Sequence, residues 1–95
     1  MEVVYLNTEG FKALSDPSRR QILELLAGGE LTAGEIADHF DMTKPSISHH
    51  LNSLKNAGLV TAERQGQNIV YRINMTVLQE LTKWFFDLTK KTDKK

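Results

Sequence analysis

The side chains best suited to polar recognition are gathered in one short run, Thr43-Lys44-Pro45-Ser46-Ile47-Ser48-His49-His50-Leu51-Asn52-Ser53-Leu54-Lys55-Asn56. Ile47, Leu51 and Leu54 fall at i, i+4 and i+7, which places them in one apolar stripe of a helix. At about 100° per residue, Pro45, Ser48, His49, Asn52 and Asn56 point the other way. Apart from the proline, these are short or planar hydrogen-bonding groups that add little to a core. They suit the edge of a base pair or a phosphate oxygen, and a helix can enter a major groove roughly 12 Å wide. Lys44, Ser46, Ser48, His49 and Asn52 are therefore the candidate contacts, with Pro45 stiffening the first turn and Thr43 as N-cap. His50 lies beside the apolar stripe and reads as a half-buried histidine satisfied by a neighbour rather than as a base contact.

Other elements must hold this helix. Thr32-Ala33-Gly34-Glu35 has the Thr-x-x-Glu form of a capping box, with Leu31 and Ile36 placed as a hydrophobic staple. A helix is predicted to begin at Ala33, bury Ile36, Ala37 and Phe40, and stop near Asp41-Met42. Residues 33–57 thus read as helix, tight turn, helix. Ahead of them, Asp16 caps a helix with Pro17 at its first position and a stripe of Ile22, Leu23, Leu25 and Leu26, closed by Gly28-Gly29. Behind them, Ala57-Gly58 is a stop signal and residues 59–73 form a hairpin. Its second arm places Ile69, Tyr71 and Ile73 on one side and Val70 and Arg72 on the other, with glycine at the tip. Two roles are open to Arg64 and Gln67 near that tip: keeping the hairpin soluble, or reaching phosphates or a minor groove. Arg19 and Arg20 are weaker candidates for DNA contact.

The last helix opens at Asn74-Met75-Thr76 and carries Val77, Leu78, Leu81, Trp84, Phe85, Phe86 and Leu88, too apolar around its circumference to stand alone. Leu78, Leu81, Phe85 and Leu88 follow a 3, 4, 3 spacing. With Val3, Val4, Leu6 and Phe11 they predict a two-fold interface burying about 800 Å² per partner or more. Trp84-Phe85-Phe86 as a ligand pocket is the less favoured alternative.

Composition bounds these assignments. With 95 residues, 40% hydrophobic and 25% charged, residues 1–95 read as one soluble globular domain. Residues 1–14 and 75–91 are its association helices. No apolar run reaches the roughly 20 residues that span a bilayer, and the start lacks the regions of a secretory signal. A cytoplasmic, nucleoid-associated protein without direct membrane insertion is expected. The absence of cysteine removes disulfides and thiolate ligands. The zero net charge conceals segregation: residues 1–42 hold three basic against eight acidic side chains, net −5, residues 43–72 four against one, net +3, and residues 73–95 are +2. The positive segment is the one already singled out, and a second subunit would double it. Catalysis finds no footing: there is no glycine-rich phosphate loop and no cysteine nucleophile, and Ser48, His49 and His50 are successive helical residues that diverge by about 100° each.

On these residues, the chain resembles the ArsR/SmtB family of small winged-helix repressors over nearly its whole length. Phe11-Lys12-Ala13-Leu14-Ser15-Asp16-Pro17-Ser18-Arg19-Arg20-Gln21-Ile22-Leu23 is similar to the family's opening signature, and Lys44-Pro45-Ser46-Ile47-Ser48-His49-His50-Leu51 to its recognition helix. Within the family it most resembles the metal-independent, autorepressing SdpR-type branch. The resemblance implies a mainly α fold with a small β-hairpin, a winged helix-turn-helix of order α-α-α-α-β-β-α. It also implies a homodimer through the first and last helices, occupying an inverted-repeat operator on double-stranded DNA and requiring no cofactor. Many members sense metal through a Cys-x-Cys segment or through Asp and His on the last helix. Those positions here hold Thr32 and Gly34, and a final helix with only Glu80 and Asp87, so no metal site is expected there. A rival reading from a different class is a winged-helix module acting mainly on another protein, such as a membrane-bound or cytosolic partner that relieves repression.

Overall fold

The computed structural model describes the backbone of residues 2–93 and the side chains of residues 8–92. Five helices and three strands follow one another as α1 (Glu2–Leu14), α2 (Pro17–Leu26), β1 (Leu31–Thr32), α3 (Ala33–Ala37), α4 (Lys44–Asn56), β2 (Val60–Gln65), β3 (Asn68–Ile73) and α5 (Met75–Asp93).

Side chains flanking each helix account for its boundaries. Asp16 Oδ1 accepts from the backbone N–H of Ser18 at 2.7 Å and of Arg19 at 3.2 Å, covering two free donors at the start of α2. The capping box of α3 is closed in both directions, Glu35 N–H to Thr32 Oγ1 at 3.1 Å and Thr32 N–H to Glu35 Oε1 at 2.9 Å. Thr43 Oγ1 accepts from Ser46 N–H at 3.3 Å to start α4. At the other end of α4, Leu59 N–H reaches Leu54 O and Gly58 N–H reaches Lys55 O, both at 3.0 Å, a Schellman closure that requires the φ of +80° at Gly58.

Ala13, Ile22, Leu26, Ile36, Ile47, Leu51, Leu54, Leu59, Val60, Tyr71 and Leu81 form one buried cluster drawn from every helix and from two strands. The three apolar residues of α4 are all in it, so that helix is fixed to its scaffold along one side.

Three details differ from the sequence reading. The sheet has a third strand: β1 pairs antiparallel with β3, Leu31 opposite Tyr71 and Thr32 opposite Val70, giving the order β1-β3-β2. The staple residue Leu31 is thus also a strand residue. With strands on both edges, β3 is the middle one, and Val70 and Tyr71 are both buried although they face opposite ways, whereas Ile69 is 37% exposed. Third, α3 ends at Ala37 rather than near Asp41. His39 Nδ1 bonds to the Glu35 carbonyl at 2.9 Å, and the His39 and Phe40 N–H groups turn to Ile36 O and Ala37 O instead, tightening the chain out of the α-helix. Phe40 and Met42 still pack against the core.

Candidate nucleic-acid interface

The α4 helix divides as its residue pattern requires. Ile47, Leu51 and Leu54 are no more than 3% exposed, whereas Lys44, Pro45, Ser46, Ser48, His49 and Asn52 are all exposed. Ser46 is engaged at its own helix start: Thr43 Oγ1 donates to Ser46 Oγ at 3.0 Å, leaving the Ser46 hydroxyl proton available to an outside acceptor. Ser48 and Lys44 border a shallow cleft between α3 and α4, floored by Ala33, Ala37, Ile47 and Leu51.

On the opposite flank of α4, His50 is half-buried and its Nδ1 accepts from Arg19 Nε–H at 3.2 Å. The bond requires a neutral imidazole with its proton on Nε2. Close by, burial tends to raise the Asp16 carboxyl, but the two backbone N–H bonds and the positive charge of Arg19 outweigh it and hold the group below its ordinary range. Arg20 is employed elsewhere, its Nη1 donating to Leu14 O at 2.6 Å at the end of α1.

The hairpin runs in unbroken register from Val60 opposite Ile73 to Gln65 opposite Asn68. Two residues turn the corner, Gly66 with φ of +64° and Gln67 without a positive φ, the pattern of a type II′ turn. Arg64 and Gln67 are exposed at this tip. Arg72, one of the four cations of the positive segment, is not free: its guanidinium bonds Glu30 Oε1 through Nε and Nη2 and lies 3.8 Å from Glu63 Oε1. Sequence arithmetic counted that charge toward the DNA side, and its ion pairs remove it.

A second surface lies on α1 and α5. Phe11 meets Trp84 and Phe85 edge-on, with ring centroids 5.6 and 5.9 Å apart, and Trp84 meets Phe85 at 5.2 Å. Phe85 nevertheless remains 50% and Leu88 44% exposed. Leu78 is half-buried against the core. Leu81, grouped with the interface from its spacing, is 3% exposed in the single chain and belongs to the core, because it faces inward where α5 crosses α1. Leu6, Val3 and Val4 lie outside the described side chains. Asp87 accepts from Lys83 Nζ at 2.9 Å, and that bond together with neighbouring lysines holds its carboxyl below the ordinary range. Among the described residues no cluster of three or more His, Asp or Glu side chains is placed to hold a metal ion, and Thr32 Oγ1 is occupied by its cap. No helix among them is long and apolar enough to cross a membrane.

A short helix, a turn and a second helix with a polar outer face, followed by a hairpin anchored to the same core, define a winged helix-turn-helix, the architecture of a DNA-binding regulator. The family model described as "Bacterial regulatory protein, arsR family" matches residues 16–62. The chain is 55% identical to the transcriptional repressor SdpR of Bacillus subtilis (strain 168) over 83 residues, covering 87% of this chain and 92% of that protein. An ArsR-like transcriptional regulator from Rhodococcus sp. RHA1 superposes with a TM-score of 0.85 at 27% identity, over 98% of this chain and 88% of that one. A homodimeric winged helix-turn-helix DNA-binding domain from Mycobacterium bovis superposes with a TM-score of 0.75 at 34% identity, over 96% of this chain and 87% of that one. The protein belongs to the ArsR family of transcriptional regulators.

Proposed function

We propose that the protein is a sequence-specific transcriptional repressor that binds an inverted-repeat operator as a homodimer, its two α4 helices entering successive major grooves about one helical turn apart. The observation that carries this reading is the division of α4: a buried stripe of Ile47, Leu51 and Leu54 backs an exposed row of Lys44, Ser46, Ser48, His49 and Asn52. Short hydrogen-bonding side chains read base edges, and the lysine, with Arg64 and Gln67 on the wing, binds phosphates beside them. The exposed Phe11, Phe85 and Leu88, flanked by Leu78, supply the two-fold contact. The homodimeric mycobacterial domain supports that assembly, and the repressor relative supports the outcome of operator occupancy. A protein partner as the primary target is favoured by no feature of the structure.

The decisive experiment is selection of bound fragments from random DNA, followed by titration of the recovered duplex with wild type and with a Ser48→Ala, His49→Ala double variant. Wild type should recover an inverted repeat and lose affinity steeply between roughly 50 and 200 mM salt. The double variant should remain a folded dimer and lose operator binding. Full operator affinity in the double variant would remove these residues from the site.

A further inference from the structure

We propose that Arg19, on the scaffold helix α2, is a DNA phosphate contact, held ready beside the recognition helix by His50. The inference rests on the operator-binding reading above and extends its site to a residue outside both the helix-turn-helix and the wing.

Three cations of the first 72 residues are already committed. Arg72 is bracketed by Glu30 and Glu63, Lys12 lies 3.9 Å from Glu9, and Arg20 closes the end of α1. Arg19 differs. Its backbone N–H is taken by Asp16 and its side-chain Nε–H by His50 Nδ1, so the residue is anchored at its backbone and at the inner nitrogen of its guanidinium. Among the described residues no carboxylate lies within ion-pair distance of it, and its Nη1 and Nη2 amines have no hydrogen-bond partner. Asp16, whose carboxyl feels the Arg19 charge, directs its Oδ1 to backbone N–H groups.

The position suits a backbone contact. A helix in the major groove has a phosphate strand along each flank. Ser48 and Lys44 occupy the flank of α4 that borders α3. His50, about 200° further round the helix from Ser48, marks the other flank, and Arg19 is docked onto it. A planar fork whose inner nitrogen is tied down and whose outer two are free matches the bidentate geometry of a phosphate. Such a contact fixes the register of α4 without reading sequence.

The test is Arg19→Gln, which keeps an amide N–H donor for His50 Nδ1 while removing the charge and the fork. Binding is followed by fluorescence anisotropy on the selected operator and on a mixed-sequence duplex, with circular dichroism melting as the folding control and Arg20→Gln as the comparison. Two phosphate contacts per dimer should lower the slope of log affinity against log salt by about 1.8, so the advantage of wild type over the variant shrinks roughly tenfold from 50 to 200 mM salt, on both duplexes. An unchanged slope overturns the assignment, and so does a loss confined to the operator, which would mean that Arg19 only positions α4. Should Arg19→Gln fail to fold, Arg19→Met, of similar length and without charge, takes its place: a lowered slope upholds the proposal and an unchanged one overturns it. Wild type that binds neither duplex would instead sink the operator-binding reading itself.

Discussion

Asp16 serves the helix that it starts and the α2–α4 junction beside it, and its ionisation ties stability to pH. Its carboxyl titrates below the ordinary value in the folded protein. The stabilisation is therefore fully present above the unfolded value, near 4, and is lost as pH falls through the lower folded value. Replacing Asp16 with Ala should destabilise the fold by about 1 kcal/mol near neutrality, the usual worth of an N-cap, and the gap to wild type should narrow below about pH 4. Asp16→Asn should keep most of the cap and lose the pH dependence. Urea melts of the three proteins from pH 3 to pH 7 decide it; a gap that widens in acid would contradict the assignment. The residue scale is also where sequence reading did best. Asp16, Thr32 and Thr43 cap as their neighbours announce, because a cap is a bond to a backbone group two or three residues away. Arg19 and Arg20 could not be told apart, since their partners, His50 and Leu14 O, depend on how helices cross.

Elements were legible to the extent that they are periodic. The α4 stripe repeats every three or four residues and emerged intact. The two-residue β1 has no period to detect, and it exists only because Leu31 and Thr32 come to lie beside Tyr71 and Val70. The shortening of α3 has a local cause, the His39 side chain occupying the Glu35 carbonyl, that no apolar pattern records. Gly58 shows an element's end written in one residue. A Cβ there would meet Val77 Cγ2 at 3.7 Å, an ordinary contact, so the cost of Gly58→Ala is conformational. With φ of +80°, that substitution should lower stability by about 1 kcal/mol, and Gly58→Asn by less, since asparagine tolerates left-handed backbone. Chemical denaturation showing no difference between glycine and alanine would argue that the turn after α4 adapts freely.

For the whole molecule, exposure separates what spacing alone merged. Leu81 and Phe85 belong to the same repeat along α5, but one is 3% and the other 50% exposed. Phe85→Asp should leave the chain folded and yield monomers in sedimentation, with operator affinity falling because the half-sites are no longer bound together; an unchanged dimer would move the interface elsewhere. Leu81→Asp should instead prevent folding. Charge likewise needs the assembled molecule: the net +3 of residues 43–72 overstates the field at the proposed DNA face, since Arg72 is neutralised across the sheet by an acid 42 residues earlier.

Thr32 closes the capping box of α3 and is also a rung of the ladder to β3. The arm that would straddle the duplex is consequently pinned to the short helix against which the probing rod is packed. Whatever tilts one of them levers the other, so groove and flank should be gained or released together.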